Sequence, residues 1–187
     1  MAFSFFRKRA EKAEDKSLGI SRKYVLSPGR SYVIEESPPD VSFDAFTNLV
    51  STLDEKGKKT YGLMLTRQHP DLVRQKYGLE STSIYWLATK AGDGVISPTN
   101  LSILAQTMVK FAEGHDDGVI LLDGVEYLIS NNDFNKVLKM IDQVNDNISQ
   151  SGSRLILPVD PRALDQKELA LLQRNMERLE LPGHRRA

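Results

Sequence analysis

Gly118-Val119-Ile120-Leu121-Leu122-Asp123 is four consecutive apolar residues entered from a glycine and ended by an acid. A half-exposed strand alternates apolar with polar residues, whereas a run this continuous suits a short strand covered on both faces. Helical periodicity flanks it. Upstream, Ser97-Pro98 reads as an N-cap followed by proline at the first helical position, and Leu101, Leu104, Ala105, Met108 and Phe111 then form a stripe of 3.6-residue period. Downstream, a helix from about Asn132 to Gln150 turns Phe134, Val137, Leu138, Ile141, Val144 and Ile148 to one side.

The same alternation extends in both directions. Ser31 to Glu36 reads as the first strand, and a helix from about Val41 to Lys56 follows it, closed by Gly57. Lys59 to Thr66 reads as the second strand. A short helix then starts at Pro70 and stops at Gly78. Ser83-Ile84-Tyr85-Trp86-Leu87-Ala88 reads as the third strand, with Trp86 in the core, and Ser153 to Val159 as the fifth. A last helix begins after Asp165, where Glu168 completes a capping box and Leu164 is placed to staple to Leu169. Five strands separated by helices predict right-handed crossovers, hence an α/β three-layer sandwich: a five-stranded parallel sheet with helices on both faces. Leu121 and Ile156 are expected in strands buried on both sides. Ligands of such sheets bind beyond the carboxyl ends of the strands. Here those ends carry Glu35-Glu36, Thr66-Arg67-Gln68, Thr89-Lys90, Asp123-Gly124 and Pro158-Val159-Asp160.

Composition narrows the function. The chain of 187 residues holds one domain of ordinary size. It has no cysteine, which excludes a thiol nucleophile and a thiolate zinc site. His69, His115 and His184 stand far apart and in no ligand-spaced motif, so no metal is expected. Twenty-five basic residues balance twenty-five acidic ones, leaving no net field to draw in nucleic acid. No apolar run reaches the length of a membrane span. The expected location is the cytoplasm, with no cofactor.

The Asp123 strand has the form of a Walker B strand, whose terminal acid helps to hold magnesium in nucleotide hydrolases. The phosphate loop such enzymes need is missing. It requires Gly-x-x-x-x-Gly-Lys-Ser/Thr between first strand and helix, because backbone N–H groups cradle the phosphates and the lysine neutralises them. In that place stands Glu35-Glu36-Ser37-Pro38-Pro39-Asp40-Val41-Ser42, with no glycine, no lysine, and two prolines that remove donors. Asp40 reads as the cap of the following helix.

Two stretches carry a family resemblance. Ile120-Leu121-Leu122-Asp123-Gly124-Val125-Glu126-Tyr127-Leu128-Ile129 and Leu155-Ile156-Leu157-Pro158-Val159-Asp160-Pro161-Arg162-Ala163-Leu164 resemble the archaeal domain-of-unknown-function family 835, over about Ser31 to Leu179. The order of elements resembles RecA/KaiC-like ATPases. That resemblance implies a P-loop-type core with the first strand between the fourth and fifth. It also implies carboxylates at the end of the second strand to activate water, where this chain has Arg67-Gln68. The family occurs in archaeal proteins, often fused to sensory and signalling modules.

The expectation is a non-catalytic signalling or scaffold module, derived from an ATPase-like fold, that acts through protein–protein contacts and could self-associate. The alternative is a nucleotide or small-molecule sensor without hydrolysis, its strand-end crevice lined by Arg67, His69, Lys90, Asp123, Glu126 and Asp160. The body spans residues 23–180, between a flexible tail at 1–22 and a short one at 181–187. Phe3, Phe5 and Phe6, followed by Arg7, Lys8 and Arg9, suit either an interfacial anchor at the inner face of the membrane or a partner-docking tail. Glu35 and Glu36 are neighbours on a strand, point to opposite faces and make a poor acid/base pair.

Overall fold

The computed structural model describes residues 22–53 and 57–179. The tail with Phe3, Phe5, Phe6, Arg7, Lys8 and Arg9, and the one at 181–187, lie outside the described residues. Among the described residues seven strands form one sheet, every pair parallel. They are β1 (Arg30–Glu35), β2 (Tyr61–Thr66), β3 (Ser83–Leu87), β4 (Val95–Ile96), β5 (Gly118–Leu122), β6 (Arg154–Val159) and β7 (Glu177–Arg178). Their order across the sheet is β4-β3-β2-β5-β6-β1-β7. The helices are α1 (Asp40–Ser51), α2 (Pro70–Tyr77), α3 (Leu101–Gly114), α4 (Val125–Asn131), α5 (Phe134–Gln150) and α6 (Gln166–Gln173).

β5 is the central strand, and all its residues are buried. Its side chains alternate between two cores. Val119 and Leu121 join Ile156 and Met64 under Phe43, Phe46 and Leu49 of α1. Ile120 and Leu122 join Leu155 and Leu157 under Leu104 and Met108 of α3 and Val137, Ile141 and Val144 of α5. Leu121 and Ile156 are completely buried, as their apolar runs require.

The strand order departs from expectation. The fourth and fifth strands of the sequence pattern, β5 and β6, pair directly through Val119↔Arg154, Ile120↔Leu155 and Leu121↔Ile156. β1 therefore lies outside β6 and pairs with it from Arg30↔Arg154 to Glu35↔Val159. The two strands beyond the expected five are two-residue edge pieces, β4 beside Trp86 and Leu87 and β7 beside Tyr32 and Val33. Such short edges offer little unpaired backbone.

Three local expectations are corrected. Ser97-Pro98 does not cap α3: the chain turns there, with Asn100 N–H donating to Ser97 O, and Asn100 becomes the N-cap by accepting from Ile103 N–H. α1 stops at Ser51, because Thr52 is extended and its hydroxyl donates to Asn48 O. Trp86 is half-buried rather than core. Near the thin edge of the sheet its indole N–H donates to Arg67 O at 3.1 Å, and its ring meets His69 edge-on at 4.9 Å. The capping box of Asp165 and Glu168 forms as read.

Candidate functional site

At the carboxyl ends of β1, β5 and β6 lies a cleft of about 290 Å³. The sequence delivers acids to it, since β5 is followed by Asp123 and Glu126, β6 by Asp160 and β1 by Glu36. Pro39, Pro158, Val159 and Ala163 supply its apolar walls. Among the described residues no lysine or arginine lines it.

Glu36 decides the character of the cleft. The first amides of a helix have no partner within it and carry partial positive charge. In phosphate-binding loops those amides hold the anion. Here Glu36 occupies them, its Oε2 accepting from Val41 N–H at 2.8 Å and its Oε1 from Ser42 N–H at 2.8 Å and from the Ser42 hydroxyl. The N-cap itself is Pro39, which makes no side-chain cap bond, and Asp40 is the first helical residue. The expected capping by Asp40 is thus replaced by a carboxylate from the end of β1. Glu35 points away and accepts from Gln173 at the end of α6.

Asp123 is tied into the sheet. Its Oδ2 accepts from the Thr66 hydroxyl at 2.6 Å, and its N–H donates to Leu65 O at 2.8 Å. Burial pushes its carboxyl above the ordinary range and nearby Glu126 adds to that, while the bonds from Thr66 and from the Arg67 backbone oppose it. Gly124 then takes φ 115°, and a side chain there would meet Arg67 Cγ at 2.7 Å. This left-handed turn lets α4 begin at once and hold Glu126, whose Oε1 accepts from Asp160 N–H at 2.6 Å. Asp160 pairs with Arg162, which holds its carboxyl well below the usual range.

Of the six residues expected in the crevice, Asp123, Glu126 and Asp160 line this cleft. The three basic ones are elsewhere. Arg67 lies over the Tyr127 ring at 3.7 Å and donates to Leu87 O. His69 caps α2 by accepting from Asp71 N–H and packs on Trp86. Lys90 is exposed beyond β3. Among the described residues no group of three or more metal-ligating side chains comes together, and no helix is long and apolar enough to cross a membrane.

The model of the family described as "Protein of unknown function (DUF835)" matches residues 42–176. The chain belongs to that family. A search of curated proteins finds no match. Among solved structures, a Pyrococcus horikoshii OT3 protein from a structural study is similar at TM-score 0.56 and 11% identity, over 84% of each chain. A KaiC-like protein from the same hyperthermophilic archaeon is similar at TM-score 0.53 and 12% identity, over 73% of this chain and 65% of that one. At such identities the likeness is one of fold: this DUF835 chain has an α/β fold similar to that of a KaiC-like protein, with β1 outside β6.

Proposed function

We propose that this DUF835 chain is a non-catalytic module that acts through protein–protein contacts, its ATPase-like strand-end site filled by its own side chain. The observation that carries this reading is the Glu36 carboxylate on the Val41 and Ser42 amides and the Ser42 hydroxyl. A phosphate would have to displace that carboxylate and then sit among Asp123, Glu126 and Asp160 with no lining cation among the described residues. Like charges in a partly desolvated cleft repel strongly. The sensor alternative has the same obstacle, since the basic residues it needs, Arg67, His69 and Lys90, do not line the cleft. The family's occurrence beside signalling modules favours signalling proteins as partners, with action in the cytoplasm and the Phe3–Arg9 segment as a docking or membrane-contacting tail. The reading includes self-association of the chain, tested by sedimentation.

Thermal melts with ATP and ADP, with and without magnesium, test the proposal. A ligand at a hundredfold excess over its Kd adds about 2.7 kcal/mol to the stability of the folded state. No rise in melting temperature is expected. A magnesium-dependent rise that Asp123→Asn abolishes would overturn the reading.

A further inference from the structure

The other end of the sheet has the opposite chemistry. We propose that the pocket at the amino ends of β2 and β3 binds a small organic anion, a carboxylate carried on an apolar body. The pocket has about the same volume as the strand-end cleft, about 290 Å³, and among the described residues no carboxylate lines it. Its polar lining is Lys59, Thr60, Tyr61, Ser81, Thr82, Ser83 and His115. Among the described residues the Lys59 ammonium and the Tyr61, Ser81 and Ser83 hydroxyls have no hydrogen-bond partner. His115 donates its Nδ1–H to Phe111 O at 2.9 Å, so its Nε2 is an acceptor and the donors left for a ligand are the Lys59 ammonium and the three hydroxyls. Glu80 and Asp116, the acids next in sequence, are not part of the lining.

The walls are built rather than incidental. Gly118 lacks the Cβ that would strike Phe111 at 2.8 Å, so Phe111 and His115 close over β5. His115 thereby stacks on Phe111 at 4.4 Å and meets Tyr61 at a tilt at 4.7 Å, giving an aromatic side to the pocket. Arg74 donates to both Leu79 O and Thr82 O at 2.9 Å and holds the loop that presents Ser81 and Ser83. Behind Thr60, two guanidiniums face one carboxylate: Arg22 donates to the Thr60 hydroxyl, Thr60 donates to Asp117, and Asp117 pairs with Arg154. The Arg22 Nε is buried without a partner among the described residues. The local field therefore favours an anion, and a pocket near the lower limit of about 300 Å³ for ligand sites admits a body no larger than a single ring.

Titration of the isotopically labelled full chain with benzoate, followed by amide NMR shifts, tests this, with neutral benzamide as the control. Saturable shifts are expected at Tyr61, Ser81, Thr82, Ser83 and His115, with benzamide at least about tenfold weaker, a difference of about 1.4 kcal/mol. Ser83→Phe, which fills the pocket, should abolish the shifts. Lys59→Gln alters only an exposed side chain and should weaken benzoate severalfold without affecting benzamide; it decides the matter even where Ser83→Phe misfolds. Equal binding of benzoate and benzamide, shifts centred on Glu36 and Asp123, or no saturable shift would each overturn the proposal.

Discussion

At Asp123, burial and hydrogen bonding pull in opposite directions, and burial prevails. A carboxyl whose folded pKa lies above its unfolded value keeps its proton in the folded state after the unfolded chain has lost its own. Folding stability then falls as pH rises from the unfolded value near 3.8 through the raised folded value, by at most about 1.4 kcal/mol per pH unit inside that window. Asn at this position carries no charge. The stability of Asp123→Asn relative to the natural chain is therefore expected to improve as pH rises from 4 to neutrality, as read by urea melts across a pH series. A difference that stays flat would mean that the hydrogen bonds cancel desolvation, and one that moves the other way that they outweigh it. Asp123 itself was legible in the sequence as the acid ending an apolar run. Its partner was not: Thr66 belongs to the neighbouring strand, 57 positions away, and only the pairing of β2 with β5 brings them together.

The N-terminus of α1 shows how an element can be read correctly in place and wrongly in detail. The helix was legible from Phe43, Phe46 and Val50, all now buried on one side of the sheet. Its cap was not, because Asp40 has the right residue type at the right place, whereas Glu36 reaches the amides only through the path of Ser37-Pro38-Pro39. That path is set by tertiary structure, since Glu36 N–H is bound to Val159 O at the end of β6. The short α4 and the edge strands β4 and β7 escaped notice for a related reason: seven residues and two pairs are too short to express a period. Glu36→Ala removes the acceptor for two amides and a hydroxyl, and a loss of about 0.5–2 kcal/mol is expected, the range for a helix cap. Glu36→Gln retains one acceptor oxygen and should lose less. Equal melting temperatures for Glu36→Ala and the natural chain would show that water serves those amides equally well, and would also weaken the case that the site is self-occupied.

Across the whole molecule, the parallel sheet, its central strand and its two covered faces were legible because β5 and β6 are apolar along their length. Strand order was not legible, since no strand's own residues state which neighbour it takes, and β1 lies beyond β6 rather than between β5 and β6. What fixes that arrangement at the amino ends of the strands is a buried polar network. Arg154 opens β6 directly beside Arg30 of β1, is buried, and donates through Nε to Leu26 O at 2.6 Å and through its guanidinium to Asp117, just before β5. Asp117 in turn accepts from Thr60 at the entry to β2. One ion pair thus joins the segment before β1 to the entries of three strands. Removing one member of a buried pair strands the other charge in a poorly solvated place, which costs about 3–5 kcal/mol, whereas replacing both with apolar residues of similar volume is often neutral or better. Asp117→Ala is accordingly expected to lose about 3–5 kcal/mol in urea melts, and the double change Asp117→Val with Arg154→Met to recover most of it. If the double variant is no more stable than Asp117→Ala, the bonds to Leu26 O and Thr60, rather than the compensation of charge, are what this corner of the sheet depends on.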